Sequence, residues 1–293
     1  MLTSENSRFR DAEAHLASHF YRGRSVGSEE TCHQFPGYDF MFDAGKGPIS
    51  STHINRVFIS HGHNDHVGGV TAHAWRRGGH ALPKATYYAE DVDGVVQFFK
   101  AQGRLAGLRG SDWIPTVLPL RPGDDIRLSA TDQLLTWRSF HRVPTLGFTL
   151  FRERKRLLPA FQGADKDTII QAKKTGQPVE EVVSLPEITY CGDSTIDVMG
   201  LDLVRRSRLL IIECSFLGLK EGDGVMPNEA RKTGHVHIED LVAASREGLF
   251  DTNEVVLLTH FSARYTAERV KQALKGRLPP GKFKALLGEI VDV

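Results

Sequence analysis

The sequence predicts an α/β fold, and three observations lead to that prediction. Short apolar runs with strand character alternate with segments of helical periodicity along most of the chain. Several of these runs end directly in a histidine or an aspartate, and α/β architectures place their functional side chains at such strand ends. The chain has 293 residues, enough to bury one large core, so residues 1–293 are predicted to form a single domain.

The first half of the chain consists mostly of predicted strands. The apolar run at residues 57–59 has the length and composition of a buried strand, and residues 67–70 open a helix shortly after it. Apolar positions that include Val95, Phe98 and Phe99 predict a longer helix. The strands are predicted at residues 15–21, 38–42, 57–60, 114–118, 126–140 and 146–151, and the longer helix at residues 91–106.

The second half repeats a strand–helix alternation. Its strands are the most apolar runs of the chain, which is typical of strands that are buried on both faces. Strands are predicted at residues 188–191, 209–213 and 254–259, and helices at residues 198–206, 238–248 and 266–274. Two such halves fit a four-layer αββα sandwich.

The segment 60–66, with the sequence Ser-His-Gly-His-Asn-Asp-His, is the most informative feature of the chain. It follows a predicted strand, and a tight loop at a strand end brings alternate side chains into one small volume. Its potential metal ligands are His61, His63, Asp65 and His66. Imidazole and carboxylate suit zinc, and four ligands exceed what one open catalytic zinc takes from protein, so two metal ions are predicted. The alternative is a histidine-rich surface loop without metal.

Three further residues supply the remaining ligands of such a centre. His141, Asp193 and His260 each follow the end of a predicted strand. Any one of them alone would more often be an ordinary loop residue. Together with the segment 60–66 they make seven ligands, which is enough for two metal ions.

The chain resembles ribonuclease Z, the tRNA 3′-processing branch of the metallo-β-lactamase superfamily. The first histidine motif alone would indicate only the superfamily, which also includes lactamases, glyoxalases and phosphodiesterases. The sequence His-Phe-Ser-x-Arg-Tyr at residues 260–265 is typical of the nuclease branch. The segments that carry the resemblance are residues 23–32, 42–48, 60–66, 192–194, 213–216 and 260–265.

The resemblance implies the metallo-β-lactamase αββα sandwich and a zinc-dependent endoribonuclease that removes 3′ trailers from precursor tRNA. It implies that one ion is held by His61, His63 and His141, that the other is held or flanked by Asp65, His66 and His260, and that Asp193 bridges the two. Two zinc ions about 3.5–4 Å apart share a water and lower its pKa, and the resulting metal-bound hydroxide attacks the phosphodiester and leaves a 3′ hydroxyl. Asp65 would orient that water or accept its proton.

The leaving oxygen needs a proton donor, and His237 is predicted to be that donor with help from Glu213. In the family, a histidine precedes a pair of alanines by a fixed spacing, and His237 bears that spacing to Ala243 and Ala244. His235 is the rival, since it lies only two positions earlier. Glu213 ends an apolar strand, where a carboxylate would raise the basicity of a nearby imidazole; the alternative is a purely structural carboxylate.

Two groups of residues are candidates for substrate binding. Ser262 and Arg264 follow His260 on one loop, and a guanidinium beside the metals suits a phosphate, unless it pairs with a core acid. Residues 152–187 form a polar insert at the place where ribonuclease Z carries its tRNA-binding arm. The insert is either a reduced tRNA-binding element or a solvated hairpin and loop. Its candidate phosphate contacts are Arg154, Lys155, Arg156, Lys173 and Lys174.

Composition limits the remaining possibilities. The net charge is +1, so RNA binding requires local basic patches. Arg76 and Arg77 are read as a solvated helix face. Three distant cysteines predict a reducing cytosol rather than a disulfide framework, and no apolar run approaches the length of a membrane span. A homodimer is a family expectation. The alternative functions are a small-molecule or cyclic-nucleotide phosphodiesterase and a non-catalytic RNA-binding subunit.

Overall fold

The computed structural model describes residues 10–108, 112–218 and 224–293, and two β-sheets form its centre. The first sheet contains, hydrogen-bonded in this order, β1 (Ala12–Leu16), β2 (His19–Val26), β3 (Glu30–Phe35), β4 (Phe40–Phe42), β5 (Arg56–Phe58), β6 (Thr86–Ala89) and β7 (Thr116–Pro119). The second sheet contains, also in sequence order, β8 (Asp125–Arg127), β9 (Asp132–Arg138), β10 (Leu146–Leu157), β11 (Glu180–Tyr190), β12 (Leu209–Glu213), β13 (Val255–Thr259), β14 (Phe283–Leu286) and β15 (Ile290–Asp292).

Helices cover the outer faces of both sheets. The α-helices of the described ranges are α1 (Asn64–Val67), α2 (Val70–Gly79), α3 (Val92–Leu105), α4 (Lys166–Lys174), α5 (Asp202–Arg205), α6 (Pro227–Thr233), α7 (Ile238–Arg246) and α8 (Ala267–Leu274). The apolar side chains of α2 and α3 pack on the first sheet, and those of α5, α7 and α8 pack on the second. A third apolar cluster lies between the sheets, so the predicted four-layer αββα sandwich is confirmed. Within the described ranges, no helix is long and apolar enough to cross a membrane.

The central strands of the second sheet show why the sequence adopts these layers. All five residues of β12 are buried. Leu209 and Ile211 face the cluster between the sheets, whereas Leu210 and Ile212 face the cluster beneath the helices. Successive strand residues point to opposite faces, so a strand covered on both sides must be apolar throughout. The parallel pairing of β11 to β14 brings the carboxyl ends of these strands to one edge of the sandwich.

Three predicted elements differ from the structure for local reasons. Residues 126–140, predicted as one strand, form the antiparallel pair β8 and β9, because the chain turns between them and the amide of Leu128 donates to the carbonyl of Asp132 at 2.9 Å. Residues 15–21, predicted as one strand, form the hairpin of β1 and β2, because Ala17 and Ser18 take the left-handed conformation with φ of 46° and 72° and reverse the chain. Residues 198–206, predicted as one helix, instead contain the end of a 3₁₀ segment (Ile196–Gly200) and the single turn α5. The 3₁₀ segment and α5 nevertheless present one apolar face to the second sheet, where Val198, Met199 and Val204 are all buried.

The insert at residues 152–187 is a folded extension of the second sheet. β10 and β11 continue as an antiparallel hairpin to the pair Leu157 and Glu180, and helix α4, which the sequence analysis did not predict, lies in the connection. Asp165 caps α4 by accepting from the amide of Thr168 at 2.9 Å. The insert has its own small apolar core, formed by Phe161, Ala172 and Val179 with Leu157, Leu158 and Ile169 around it.

Arg77 corrects the interpretation of Arg76 and Arg77 as a solvated helix face. Its side chain is only 2% exposed, and it donates to the carbonyl oxygens of Thr52 at 2.8 Å, Ile54 at 2.9 Å and Pro83 at 2.7 Å. Arg76 in turn donates to the carbonyl of Gly47. Both guanidinium groups therefore join helix α2 to neighbouring loops. Helical periodicity assigns charged residues to the solvent-exposed face, so it could not predict that Arg77 is buried.

Replacing Arg77 by methionine is expected to lower the free energy of unfolding by about 2–4 kcal/mol, because several buried carbonyl groups lose their donor. Urea denaturation followed by circular dichroism measures this change. Arg104→Met, on the exposed side of α3, is the matched control and should stay within about 0.5 kcal/mol of the parent. Equal midpoints for the two variants would show that Arg77 contributes nothing to stability.

Candidate metal centre

The candidate metal ligands lie where four strands end. The segment 60–66 follows β5 of the first sheet. His141 follows β9, Asp193 follows β11, and His260 follows β13 of the second sheet. These strand ends meet at one edge of the sandwich, so residues separated by almost 200 positions in sequence approach each other. The structure brings all seven predicted ligands together in two groups that share this edge.

The first group consists of His61, His63, His141 and Asp193, whose potential ligand atoms all lie within 4.8 Å of one another. The rings of His61 and His63 have centroids 4.6 Å apart, and each lies 5.3 Å from the ring of His141. The Nε2 atom of His61 lies 3.7 Å from Oδ2 of Asp193. Three imidazoles and one carboxylate oxygen therefore face a common point.

The second group consists of Asp65, His66 and His260. His66 Nε2 and His260 Nε2 are 3.3 Å apart, and Oδ2 of Asp65 lies 3.2 Å from His260 Nε2. Asp193 also reaches this group, since its Oδ1 lies 3.3 Å from His66 Nε2 and 3.4 Å from His260 Nε2. The two oxygens of Asp193 thus point to different groups, which is the arrangement that a bridging carboxylate requires.

A second set of side chains holds the imidazoles in place through their Nδ1 atoms. Asp43 Oδ2 lies 2.8 Å from Nδ1 of His66. The carbonyl of Gly234 lies 2.8 Å from Nδ1 of His141, and the hydroxyl of Ser215 lies 2.9 Å from Nδ1 of His260. Partners of this kind set the ring orientation and tautomer of histidine ligands. They leave the Nε2 atoms directed at the centre.

Close backbone approaches in the N-terminal half explain two of the glycines of the resembling motifs. A Cβ atom at Gly45 would lie 2.1 Å from the carbonyl oxygen of Asp65, and one at Gly27 would lie 3.0 Å from that of His260. His260 itself takes a left-handed conformation with φ of 58°, and its amide donates to the hydroxyl of Ser25 at 3.1 Å. Strained backbone of this kind persists where surrounding contacts hold it, as at functional sites.

The electrostatics of the site suit a cation. Burial would raise the pKa of Asp193, but the imidazoles of His260 and His66 outweigh burial and hold that pKa well below its usual range. Burial would also raise the pKa of Asp65, but the hydrogen bond from His260 and the nearby imidazoles of His66 and His260 together lower it. Burial, assisted by His66, lowers the pKa of His61 and leaves its imidazole neutral with a free lone pair.

Buried imidazole nitrogens without a hydrogen-bond partner indicate that the candidate ligands could hold a divalent metal. Among the described residues, the Nε2 atoms of His61 and His141 are buried and have no hydrogen-bond partner. Buried polar atoms without a partner are rare in proteins and call for an explanation. Imidazole nitrogens next to an ionised carboxylate form a donor set that zinc and similar ions favour. The site residues therefore fit a bound divalent metal.

Glu213 and His235 form a buried pair beside the two ligand groups. Glu213 is 1% exposed, and its Oε1 lies 2.9 Å from Nδ1 of His235. The same carboxylate accepts from the amides of Ser194 at 2.8 Å and Val236 at 3.2 Å. Burial alone would lower the pKa of His235, but Glu213 outweighs it and raises the pKa to about 9. The ring of His235 lies 5.0 Å from that of His141, so a charged imidazole adjoins the site.

The prediction of His237 as the proton donor needs correction. His237 is 2% exposed, and its Nδ1 accepts from the amide of Glu239 at 3.1 Å, so it caps the N-terminus of α7. Its Nε2 atom packs against the backbone at Gly218, where a Cβ atom would lie 2.7 Å away. The spacing argument selected the residue that starts the helix, whereas the tertiary contacts place His235 next to Glu213 and the ligands.

Ser262 and Arg264 lie on the loop after His260, as predicted. The amide of Ser262 donates to the carbonyl of Ser215 at 3.1 Å, which joins this loop to the loop after β12. The side chain of Arg264 is exposed and forms no ion pair with the residues that the structure describes. The guanidinium is therefore available to a ligand rather than committed to a core acid.

Most basic residues of the insert are paired with acidic neighbours. Arg154 contacts the buried Glu187 at 2.6 Å, Arg156 contacts Glu181 at 2.7 Å, and Lys173 contacts Glu180 at 2.7 Å. Lys155 and Lys174 are exposed, and neither has an ion-pair partner within the described ranges. Of the five basic residues selected from the sequence, two lysines are therefore unpaired within the described ranges.

The sequence analysis missed the residues that orient the ligands. Asp43 was quoted only as part of a resembling segment, yet its carboxylate accepts from the amide of Ser60 at 2.7 Å and from the hydroxyl of Tyr190 at 2.7 Å as well as contacting His66. Ser215 likewise contacts His260. A polar residue directly after a buried strand is the available signal for Asp43, which follows β4, whereas Ser215 lies two positions beyond the end of β12.

The chain is similar to known proteins both in sequence and in fold. No family model matches the chain. A tRNase Z from Arabidopsis thaliana is 28% identical over 264 residues, which cover 88% of this chain and 90% of the relative. This relative, together with the motifs, confirms the resemblance to ribonuclease Z.

Two solved structures share the fold. A metallo-β-lactamase fold protein from Bacillus subtilis has a TM-score of 0.56 at 14% identity and covers 89% of this chain and 93% of its own. The short form of human tRNase Z has a TM-score of 0.50 at 18% identity and covers 87% and 92%. At these identities the likeness shows the fold alone, and that fold is the predicted metallo-β-lactamase sandwich.

Proposed function

We propose that this chain, which has the metallo-β-lactamase fold and resembles ribonuclease Z over most of its length, is a zinc-dependent endoribonuclease that removes 3′ trailers from precursor tRNA. One observation carries the proposal: seven ligand-type side chains from separate strand ends form two groups that share Asp193. A non-catalytic RNA-binding subunit has no need of such a centre.

The roles of the site residues follow from their positions. His61, His63 and His141 would hold one divalent ion, Asp65, His66 and His260 the other, and Asp193 both. Two ions bound there would supply an activated water and neutralise charge on the phosphate. Asp65 receives the amide of Ser28 at 2.8 Å and the contact from His260, so it is held where it can orient the attacking water or accept its proton.

The proton for the leaving group comes from His235 in this proposal. Glu213 keeps the imidazole protonated at neutral pH, since the pKa of His235 is raised to about 9. As a water oxygen attacks phosphorus, the bond from phosphorus to the ribose 3′ oxygen breaks and His235 donates its proton to that oxygen. The tRNA then ends in a 3′ hydroxyl, and the trailer carries the phosphate. Glu213 acts through His235, which makes it a positioning residue. The exposed guanidinium of Arg264 would bind a phosphate next to the cut.

The direct test uses a labelled precursor tRNA and bis-p-nitrophenyl phosphate, each with and without a chelator. Trailer release with a 3′ hydroxyl on the tRNA fragment, abolished by the chelator, is the expected result. Hydrolysis of bis-p-nitrophenyl phosphate alone would identify a small phosphodiesterase instead. No hydrolysis of either substrate by metal-loaded protein would overturn the assignment as an enzyme.

We expect two equivalents of zinc per chain, because the two ligand groups share only Asp193 and each provides at least three donors. Elemental analysis of protein purified without chelator measures this stoichiometry. Chelation should remove the metal and the activity together, and added zinc should restore both. Full activity in protein with one equivalent or none would contradict the dinuclear centre.

The insert is proposed to contact the tRNA through Lys155 and Lys174, since these lysines are the unpaired ones among its selected basic residues. Replacing both by alanine should raise the KM for precursor tRNA and reduce the slope of log KM against log salt by about one unit per lost phosphate contact. Hydrolysis of bis-p-nitrophenyl phosphate should not change, because that substrate is too small to reach the insert.

The matched control for this experiment is Lys100→Ala with Lys275→Ala, which removes two exposed charges elsewhere. An equal change in both pairs would indicate a general charge effect. If neither pair changes the KM, the insert has no part in tRNA binding.

A homodimer remains a prediction from the family resemblance, and a cytosolic location remains a prediction from composition. The three cysteines are buried and form no disulfide with one another, as expected in a reducing compartment.

A further inference from the structure

A cavity of about 910 Å³ opens directly beside the first ligand group. His61 and His63 contribute to its lining, so it is continuous with the candidate metal centre. Helix α3 supplies one wall through Val95 and Phe98, and the loop after His141 supplies Val143 on the opposite side. Its volume lies within the range of ligand sites, which are mostly apolar with a few polar groups.

Apart from the histidines of the candidate metal centre, the ionisable side chains that line the cavity are Glu90, Asp91 and Arg138. Arg138 NH1 donates to Glu90 Oε2 at 2.8 Å, and its second nitrogen donates to the other oxygen, so the charges of this pair offset each other. Asp91 accepts from the amide of Gly94 at 2.9 Å. Among the lining residues, the one Arg or Lys side chain is paired with Glu90, and the carboxylate of Asp91 has no cationic partner. A phosphate group is therefore a poor occupant.

Phe98 makes the cavity suitable for a planar, uncharged group. Its side chain is 37% exposed, although it lies on a helix whose other aromatic residue, Phe99, is fully buried. Exposed aromatic faces next to a cleft are the usual stacking platform for unpaired bases, and stacking accepts every base. The carboxylates of Glu90 and Asp91 could in addition accept from an exocyclic amino group of the base.

We propose that this cavity binds the base of an unpaired nucleotide adjacent to the scissile phosphate, with Phe98 as its stacking partner. The proposal rests on the proposed function, because it requires an RNA whose phosphate lies at the metal centre. The occupant of the cavity is thus a nucleobase and not a phosphate or an acidic small molecule. A base held there fixes the position of the neighbouring phosphodiester relative to His61 and His63.

The test uses precursor tRNAs that carry a single abasic nucleotide, placed in turn at each of the positions flanking the cut. With the parent protein, one of these positions is expected to lower kcat/KM by about 5- to 100-fold, the range for loss of one stacked base. Phe98→Ala should cause a similar loss on the unmodified substrate and little further loss on that abasic substrate, because both changes remove the same contact.

Leu105→Ala is the matched control, since Leu105 is an 85% exposed apolar residue on the same helix and outside the cavity. It should keep both the normal rate and the full abasic penalty. Abasic substrates that react like the unmodified one, or penalties that simply multiply in Phe98→Ala, would overturn the base-binding proposal alone. Failure of the parent protein to cleave any precursor tRNA would overturn the proposed function and this inference with it.

Discussion

Replacing Asp193 by alanine is expected to abolish the hydrolysis of both precursor tRNA and bis-p-nitrophenyl phosphate. Its two oxygens reach different ligand groups, with Oδ2 3.7 Å from His61 and Oδ1 3.3 Å from His66. Residues that merely orient ligands typically contribute about 10- to 100-fold to metal affinity, so loss of a shared ligand should cost more than that at each group. Titration with zinc against a competing chelator, together with rates on both substrates, measures the effect.

The matched control is Asp202→Ala, which removes an exposed carboxylate from helix α5. It should bind zinc and hydrolyse both substrates like the parent protein. Circular dichroism separates loss of metal from loss of fold in Asp193→Ala. A folded Asp193→Ala protein that retains two tightly bound zinc ions would show that the carboxylate does not bridge the centre.

Replacing His235 by alanine should slow the cleavage of precursor tRNA by about 10²- to 10⁴-fold, the usual contribution of a general acid. Zinc content should be unchanged in this variant, because His235 lies outside the two proposed ligand groups. Hydrolysis of bis-p-nitrophenyl phosphate should fall much less, since p-nitrophenolate leaves as a stable anion and needs no proton. Single-turnover rates on the two substrates separate the role of proton donor from that of metal ligand.

His237→Ala is the discriminating comparison. Because His237 caps helix α7 at the amide of Glu239, its replacement should lower the free energy of unfolding by about 0.5–2 kcal/mol and leave the cleavage rate of the folded protein nearly unchanged. The reverse pattern, with a slow His237→Ala and a normal His235→Ala, would restore the interpretation from sequence spacing. Equal loss on both substrates in His235→Ala would instead indicate a damaged metal centre.

The strands and the ligand set were predictable because both leave short-range signals. A strand buried on both faces must be apolar throughout, as in the run Leu209 to Ile212, and a polar residue that ends such a run has little reason to be there unless it has a specific role. This rule selected His141, Asp193 and His260, whereas Asp65 was selected as part of the histidine-rich segment 60–66. The prediction was wrong at residues 15–21 because Ala17 and Ser18 reverse the chain there. It was wrong at residues 198–206 because part of that segment is a 3₁₀ helix.

The pairing of charges was not predictable, since partners distant in sequence decide whether a charged side chain is buried or free. Arg77 looked solvent-exposed in its helix and is buried because two loops place three carbonyl groups around it. Arg154 looked available to RNA and is paired with Glu187 from the neighbouring strand. Neither partner has a fixed sequence spacing, so no periodicity could reveal them.

The sequence by itself determined the fold class, the candidate ligands and the class of chemistry, because each depends on residue type and on position relative to a strand end. Only the tertiary structure shows which of His235 and His237 lies beside Glu213 and the candidate metal centre, because the two differ by just two positions in sequence. Glu213 lies more than 20 residues away, and its 2.9 Å contact selects His235, while the first turn of α7 engages His237. Roles that depend on which distant group a side chain faces are set by packing in three dimensions, and local sequence does not encode them.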